Sequence, residues 1–495
     1  MKHTLGISAG FHDAAVSVVR EDGEIMFAGH SERYSKIKND AHIHADLLQE
    51  CCEYDIDTVA FYERPWMHNI QQWWSGQRRY SMWTTPDAIR WHLGSWYQQP
   101  ARREVCYPHH LSHAAAGFQT SSFDRAAVVV IDAIGEMDTI SIYLAHYDDQ
   151  GRAHYRKMWG QRYPHSIGLF YSAITKAVGL KPMEEEYITM GMAAYGSALG
   201  CAWMRDQFID DIDTVRFKKN LHIEFDEHEL SFTDNEDIAA SAQALTEMLI
   251  DKIMLKARSI TGCDNLVYMG GVALNCVANA RILSRHFDRV WIMPNPGDAG
   301  SSLGAAALAH GGRLTWRDAF LGHRIPGAYP VKDLLDHLIS HKIVGVASGR
   351  AEWGPRALGN RSLLADPKGP DIKDRVNEIK RRQKFRPFAP VILEELASEY
   401  FLMPPCWPES RYMQTTAICL EPDMFPAVCH VDGSSRVQTV PRDGSGIRQL
   451  LEQWYLLTGC PMLLNTSLNI RGEPMVNDRA DADRFQQQYE IKVCS

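Results

Sequence analysis

The stretch "TLGISAGFHDAAVSVVREDGEIMFAGHSE", Thr4 to Glu32, decides the reading of this chain. "TLGISAG" and "AAVSVVR" are short apolar runs. An Asp22-Gly23 turn then leads into "EIMFAGHSE", so the stretch predicts a three-stranded antiparallel meander. The same grammar returns about a hundred and twenty residues later in "AAVVVIDAIGEMDTISIYLAHYDDQGRAHYRKMWG", Ala126 to Gly160. Each copy ends its first strand in a glycine-containing loop with a polar residue, and each closes a hairpin with an acidic-glycine turn. An internally duplicated βββ unit, with helical segments after each copy, is the expectation.

At 495 residues the chain exceeds what one core normally serves, so at least two domains are expected. The polar, glycine- and proline-containing run Gly311 to Pro330 reads as the junction, giving domains 1–328 and 329–495. A net charge of −9 argues against a nucleic-acid partner, so any phosphate site must be locally basic. The eleven cysteines contain no CxxC pair, which fits reduced thiols better than a disulfide framework or a thiolate zinc site. No signal-like start and no membrane-length apolar run occur, and a cytoplasmic enzyme is expected.

Duplicated βββ units build the actin-like (ASKHA) ATPase fold, whose first-strand loops face a nucleotide cleft. Into that frame falls "NLVYMGGVALNCVANARIL", where Gly270-Gly271 lies between a strand and a helix-like run. Gly270, Gly271 and Asn275 are the nucleotide-loop candidates. The stretch "YPHHLSHAAAGF" places His109 and His113 at i and i+4 of a helix opening after Pro108, with His110 turned elsewhere. Two imidazoles on one face make half a metal site. Asp132 in "IDAIGE" and Asp298 in "NPGDAGSSLG", both just after strands, can complete a His2Asp2 set. Such N/O ligation suits Fe, Mn, Zn or Ni. Six of the thirteen tryptophans, Trp66, Trp73, Trp74, Trp83, Trp91 and Trp96, fall between the meanders. Structural packing is the expected reason, and an acceptor-binding aromatic wall is the rival one.

The stretches "HHLSHAAAGF", "MGMAAYG", "MGGVALNCVAN", "NPGDAGSSLGAA", "GRAEWGPRALGNRSLLADP", "FRPFAPVILEE" and "LLNTSLNIRGEPMV" occur in order along nearly the whole chain. On these motifs it resembles the O-carbamoyltransferase family of nodulation-factor and antibiotic biosynthesis. The resemblance implies an actin-like first domain followed by a smaller YrdC-like α/β domain. It implies a divalent metal, Fe(II) first, on His109, His113, Asp132 and Asp298. It also implies two steps: carbamoyl phosphate and ATP, with Mg, give carbamoyl-adenylate, and the carbamoyl group then passes to a hydroxyl of a natural-product acceptor. A homo-oligomer is compatible with this reading.

The second domain has the composition for a phosphate substrate: seven Lys or Arg against two acids between Lys373 and Arg386. Lys380, Arg382 and Arg386 match the family's carbamoyl-phosphate pattern. Arg356 and Arg361 lie in the matching "GPRALGNRS" loop, Asn465 and Ser467 lie in "LLNTSLN", and Arg436 is a further candidate. His12 in "GFHDAA" is the candidate base for the acceptor proton. Lys38 in "ERYSKIKND" matches a family lysine and is the second catalytic candidate, toward phosphate.

Two departures stand out. Ile188 in "EEYITMGMAAYG" occupies a position where the family has lysine, and the chain ends about twenty residues after "GEPMV". The second suggests a reduced domain edge or one completed by a partner subunit. Ile188 and the short tail favour a rival, a catalytically silent nucleotide-binding module. "GSSLG", Gly300 to Gly304, formally matches a serine-hydrolase elbow, but "PNPGDA" separates it from its strand.

Overall fold

A computed structural model describes residues 1–74, 83–98, 101–226, 230 and 234–495, leaving aside the side chains at 68 and 71–74. The chain forms two compact units: Met1–Glu32 with Asn39–Arg317, and Arg33–Lys38 with Asp318–Ser495.

The first unit holds two five-stranded sheets of the same design. In one, β1 (His3–Ser8), β2 (Ala15–Arg20) and β3 (Ile25–His30) form the meander, and β4 (Ile56–Phe61) and β5 (Arg103–Cys106) follow in parallel on the other side of β1. The order is β3-β2-β1-β4-β5. The second sheet repeats it as β8-β7-β6-β11-β12. Here β6 (Arg125–Gly135), β7 (Asp138–Tyr147) and β8 (Ala153–Arg162) are antiparallel, while β11 (Asn265–Met269) and β12 (Arg289–Trp291) run parallel to β6. A minor hairpin, β9 (Ile209–Asp211) and β10 (Arg216–Phe217), lies outside both sheets. The duplicated order makes this unit actin-like. From Ala126 to Ile131 every residue of β6 is buried, as a strand covered on both faces requires.

After its fifth strand each half places a helix, His109–Thr120 in the first and Ser301–His310 in the second. These two helices pack on one another. Their closeness explains the run "SSLGAAALA": a Cβ on Gly304 would stand 1.8 Å from the Ser112 carbonyl oxygen. Likewise a Cβ on Gly6 in β1 would meet the Ser302 carbonyl at 1.9 Å. Ser302 is therefore a packing residue buried against β2, where its hydroxyl lies 2.8 Å from that of Ser17, and no nucleophile elbow exists there.

The second unit is a smaller α/β structure. Its six-stranded mixed sheet has the order β21-β17-β22-β16-β14-β23, from β14 (Ile343–Ala347), β16 (Arg361–Ala365), β17 (Ala389–Leu393), β21 (Gln438–Val440), β22 (Met462–Ser467) and β23 (Val493–Cys494). Short strands β18 (Phe401–Leu402), β19 (Ala417–Cys419) and β20 (Ser434–Ser435) form a separate three-stranded sheet. The helices Val331–His341 and Gly446–Thr458 contribute Leu334, Leu338, Leu450, Leu451 and Trp454 to its core.

The unit begins at Asp318, earlier than the expected 329, because β13 (Phe320–Ile325) pairs with β15 (Gly349–Glu352). It also claims Arg33–Lys38. Buried Arg33 donates to the Gly354 carbonyl at 3.1 Å, and Lys36 pairs with the Asp481 carboxylate.

Candidate functional site

The duplicated design gathers the four expected metal ligands in the first unit. His109 opens the helix after β5, Asp298 immediately precedes the helix after β12, and Asp132 lies near the end of β6. His109 and His113 share a helix face, with their Nε2 atoms 3.1 Å apart. Asp298 Oδ1 lies 3.3 Å from the His109 Nε2 and 3.2 Å from that of His113; Asp132 Oδ2 lies at 3.5 and 3.2 Å. All four ligand atoms fall within 4.8 Å of one another. Ligands about 2.1 Å from a tetrahedral ion stand roughly 3.4 Å apart, so the donor set fits a divalent cation. His110 turns away and meets the Ser141 hydroxyl at 2.8 Å.

Burial alone would push both carboxyls up, but the facing imidazoles outweigh it and hold Asp132 and Asp298 low, as carboxylates. Two anionic oxygens and two imidazole nitrogens converge in a nearly dry place. The cluster meets the glycine loop directly: the Gly271 N–H donates to Asp132 Oδ1 at 3.4 Å. Gly270, at φ +90°, lies so close to β6 that a Cβ would stand 2.2 Å from the Ile131 carbonyl oxygen. The Asn275 side chain is committed locally. It caps the helix Cys276–Ile282 by accepting from Ala278 N–H, and exchanges amide hydrogen bonds with Gln243.

His12 is half-buried, with Nδ1 3.0 Å from Asp13 and Nε2 3.7 Å from Asp298 Oδ2. Burial lowers its pKa, but the Asp13 hydrogen bond and the Asp298 charge prevail and raise it to about 10. Lys38, grouped with His12 on sequence grounds, belongs instead to the second unit, close enough to Lys380 to disfavour the latter's charge.

In the second unit Lys380 is buried, and its ammonium donates to the Ser467 hydroxyl at 3.0 Å and to Asn469 Oδ1 at 2.6 Å. Burial pushes its pKa well down, reinforced by Arg382 and Arg386. Arg382 is partly committed: its Nη2 donates to the Pro387 carbonyl, and its guanidinium stands 3.9 Å over the Phe388 ring. Asn465, two residues before Ser467 on β22, donates to the Ala357 carbonyl and to Gln438, and so ties the strand to the Arg356 loop. Gln438 closes that link by donating to the Leu358 carbonyl; two residues earlier, Arg436 leaves its buried Nε without a hydrogen bond.

Arg361 takes another role. Fully buried, it donates to the carbonyls of Asn477, Ser348, Asn360, His323 and Gly349, which makes it a structural staple rather than a phosphate ligand. Asn469 and Gln438 escaped the sequence reading because neutral amides carry no charge pattern. Ile188 is a core side chain. Trp66, Trp83 and Trp91 are exposed, contrary to the packing expectation; Trp96 is half-buried and donates to Cys52 Sγ at 3.2 Å, and the Trp73 and Trp74 side chains lie outside the described residues. No helix among the described residues is long and apolar enough to cross a membrane.

By fold the first unit is of the actin-like class. One weakly similar solved structure is the activator of the 2-hydroxyisocaproyl-CoA dehydratase from Clostridium difficile with bound ADPNP: TM-score 0.34, 15% identity, covering 62% of this chain and 94% of that one. The family descriptions "Carbamoyltransferase N-terminus" and "Carbamoyltransferase C-terminus" match residues 3–307 and 335–494. The uncharacterized protein sll1178 of Synechocystis is 31% identical over 98% of this chain and 94% of its own. The nodulation protein NolNO of Sinorhizobium fredii is 30% identical over 95% and 76%. The chain belongs to the carbamoyltransferase family and is a carbamoyl-transferring enzyme.

Proposed function

We propose that this enzyme is an ATP-dependent O-carbamoyltransferase acting on a small hydroxylated acceptor. Carbamoyl phosphate, ATP and water give carbamoyl-adenylate, phosphate and pyrophosphate. The acceptor oxygen then bonds to the carbamoyl carbon, the bond to AMP breaks, and the hydroxyl proton leaves. Activation is needed because carbamate is a poor electrophile: its nitrogen and oxygen both donate into the carbonyl.

The observation that carries this reading is Lys380. A buried amine that hydrogen-bonds to neutral acceptors, and whose charged form burial, Arg382 and Arg386 disfavour, is suited to gaining a phosphate as its counter-ion. In this reading Arg356, Arg436, Asn465 and Ser467 complete the carbamoyl-phosphate site. Gly270 and Gly271 let the nucleotide approach the backbone, and Asn275 shapes that loop through its cap. His109, His113, Asp132 and Asp298 would hold a divalent ion, Fe(II) first among Fe, Mn, Zn and Ni. Such an ion would supply Lewis-acid stabilisation of charge on phosphate or carbonyl oxygen. His12 receives the acceptor proton.

The test is to incubate the enzyme with carbamoyl phosphate, ATP, Mg and a panel of hydroxylated natural products, following pyrophosphate release and product mass. Pyrophosphate dependent on carbamoyl phosphate, with a one-carbamoyl mass gain on an acceptor, is expected. Carbamoylation without ATP would overturn the adenylate route. Nucleotide binding with no turnover would favour the silent-module reading, which Ile188 in place of the family lysine supports.

A further inference from the structure

We propose that Glu63 is a positioning residue for the metal cluster, fixing the ring orientation and tautomer of His109; this rests on the metal reading above. Glu63 follows β4 by two residues. The parallel β4–β5 pairing, extended by Tyr107 N–H donating to the Phe61 carbonyl at 3.1 Å, brings it to the start of the histidine helix. There the Glu63 carboxylate is buried, with Oε2 3.6 Å from His109 Nδ1. That Nδ1 is itself buried and makes no hydrogen bond within normal range, while the ring's other nitrogen faces His113, Asp132 and Asp298.

A neutral imidazole carries one N–H. A carboxylate at Nδ1 holds the proton on that side and leaves the Nε2 lone pair for a cation, as carboxylate–histidine–metal arrangements do. The next residue anchors the hairpin that lies against the same ring. Arg64 donates from its backbone N–H and guanidinium to buried Glu136, at the turn of the β6–β7 hairpin. Gly135 of that hairpin lies against the rings of His109 and His110. The dipeptide Glu63-Arg64 thus places a carboxylate beside His109 Nδ1 and anchors the hairpin that lies against the ring.

The experiment uses the full chain and Co(II) alone as the probe, read by its visible absorption bands and by chelator competition, with thermal unfolding of the metal-free variants as the fold control. Glu63→Ala should weaken Co(II) about 10- to 100-fold and shift the bands. Glu63→Gln, which keeps a carbonyl acceptor for the Nδ1 proton, should recover most of the affinity; it also serves as the working variant if Glu63→Ala unfolds. Wild-type affinity and spectrum in a folded Glu63→Ala, with His109→Ala losing Co(II), would sink the Glu63 role while leaving the metal site standing. Equal losses in the Ala and Gln variants would overturn the tautomer role. If His109→Ala and Asp298→Ala both bind Co(II) like wild type, the metal reading itself fails and this role falls with it.

Discussion

Gly135 lies directly on His109: a Cβ added to it would stand 2.5 Å from the imidazole Cδ2, and 2.6 Å from the Cδ2 of His110. The side chain that occupies this position therefore sets where the cluster's first ligand can sit. Gly135→Ala should push both rings aside and lower Co(II) affinity at least about tenfold, as losing a ligand's support does. Metal titration checks it, and an unchanged affinity in Gly135→Ala would show that the rings yield without moving Nε2.

Lys380→Met separates binding from stability. Removing the ammonium should weaken carbamoyl phosphate by about 1.5 to 3 kcal/mol, the worth of a charge-assisted hydrogen bond, with little effect on ATP. Because burial and the neighbouring arginines already disfavour the charged amine, with Glu473 offsetting them only in part, the substrate-free variant should unfold at an equal or higher temperature. Calorimetric titration and thermal melts read the two effects independently.

Arg361→Met should do the reverse. The substitution orphans buried carbonyls around a fully buried guanidinium, so a loss on the order of 3 to 5 kcal/mol is expected in the second unit. Denaturant unfolding of the variant should show an earlier transition, with no specific loss of substrate affinity beforehand.

The Glu395 carboxyl, hydrogen-bonded by Arg448 and Arg442, is lowered to about 2 in the folded chain. A depressed carboxylate contributes stability above its unfolded pKa, near 4.5, and loses it as pH falls through about 2. Glu395→Gln should therefore be less stable than wild type at pH 6, by about 1 to 2 kcal/mol after solvent screening, and equal to it near pH 2. Unfolding midpoints across that range give the comparison.

His12→Asn should still consume ATP and carbamoyl phosphate and release pyrophosphate, since adenylation needs no acceptor proton, while transfer falls about a hundred- to ten-thousand-fold. A divalent cation on the cluster would offset the Asp298 charge, which after the Asp13 hydrogen bond is the next contribution raising the ring's pKa. Pyrophosphate release lost in proportion to transfer would assign His12 to positioning instead.

Much of the first unit was legible because its signals are local. Strand–turn–strand grammar with acidic-glycine turns is written into consecutive residues, and the i, i+4 spacing of His109 and His113 puts both rings on one helix face whatever surrounds them. What escaped was set by distant partners. Glu63 reads as an ordinary acid in "FYERP" until β4 carries it to His109. Arg361 reads as a phosphate ligand until five carbonyls close around it. Asn275 looks like a ligand group because a helix cap and a nucleotide contact ask for the same residue. Polar composition points to a junction at 328 because it marks a loop, whereas the pairing of β13 with β15 shows which unit owns it.

The six residues Arg33–Lys38 have a meaning for folding. Arg33 reaches the Gly354 carbonyl 321 residues along the chain, and Lys36 reaches Asp481 445 residues along it. Contacts of such sequence separation form late and slowly. The second unit is therefore discontinuous in sequence, its first six residues lying between two segments of the first unit. A fragment beginning at Asp318 would lack the buried Arg33, and supplying Arg33–Lys38 as a separate peptide would be the way to make it whole.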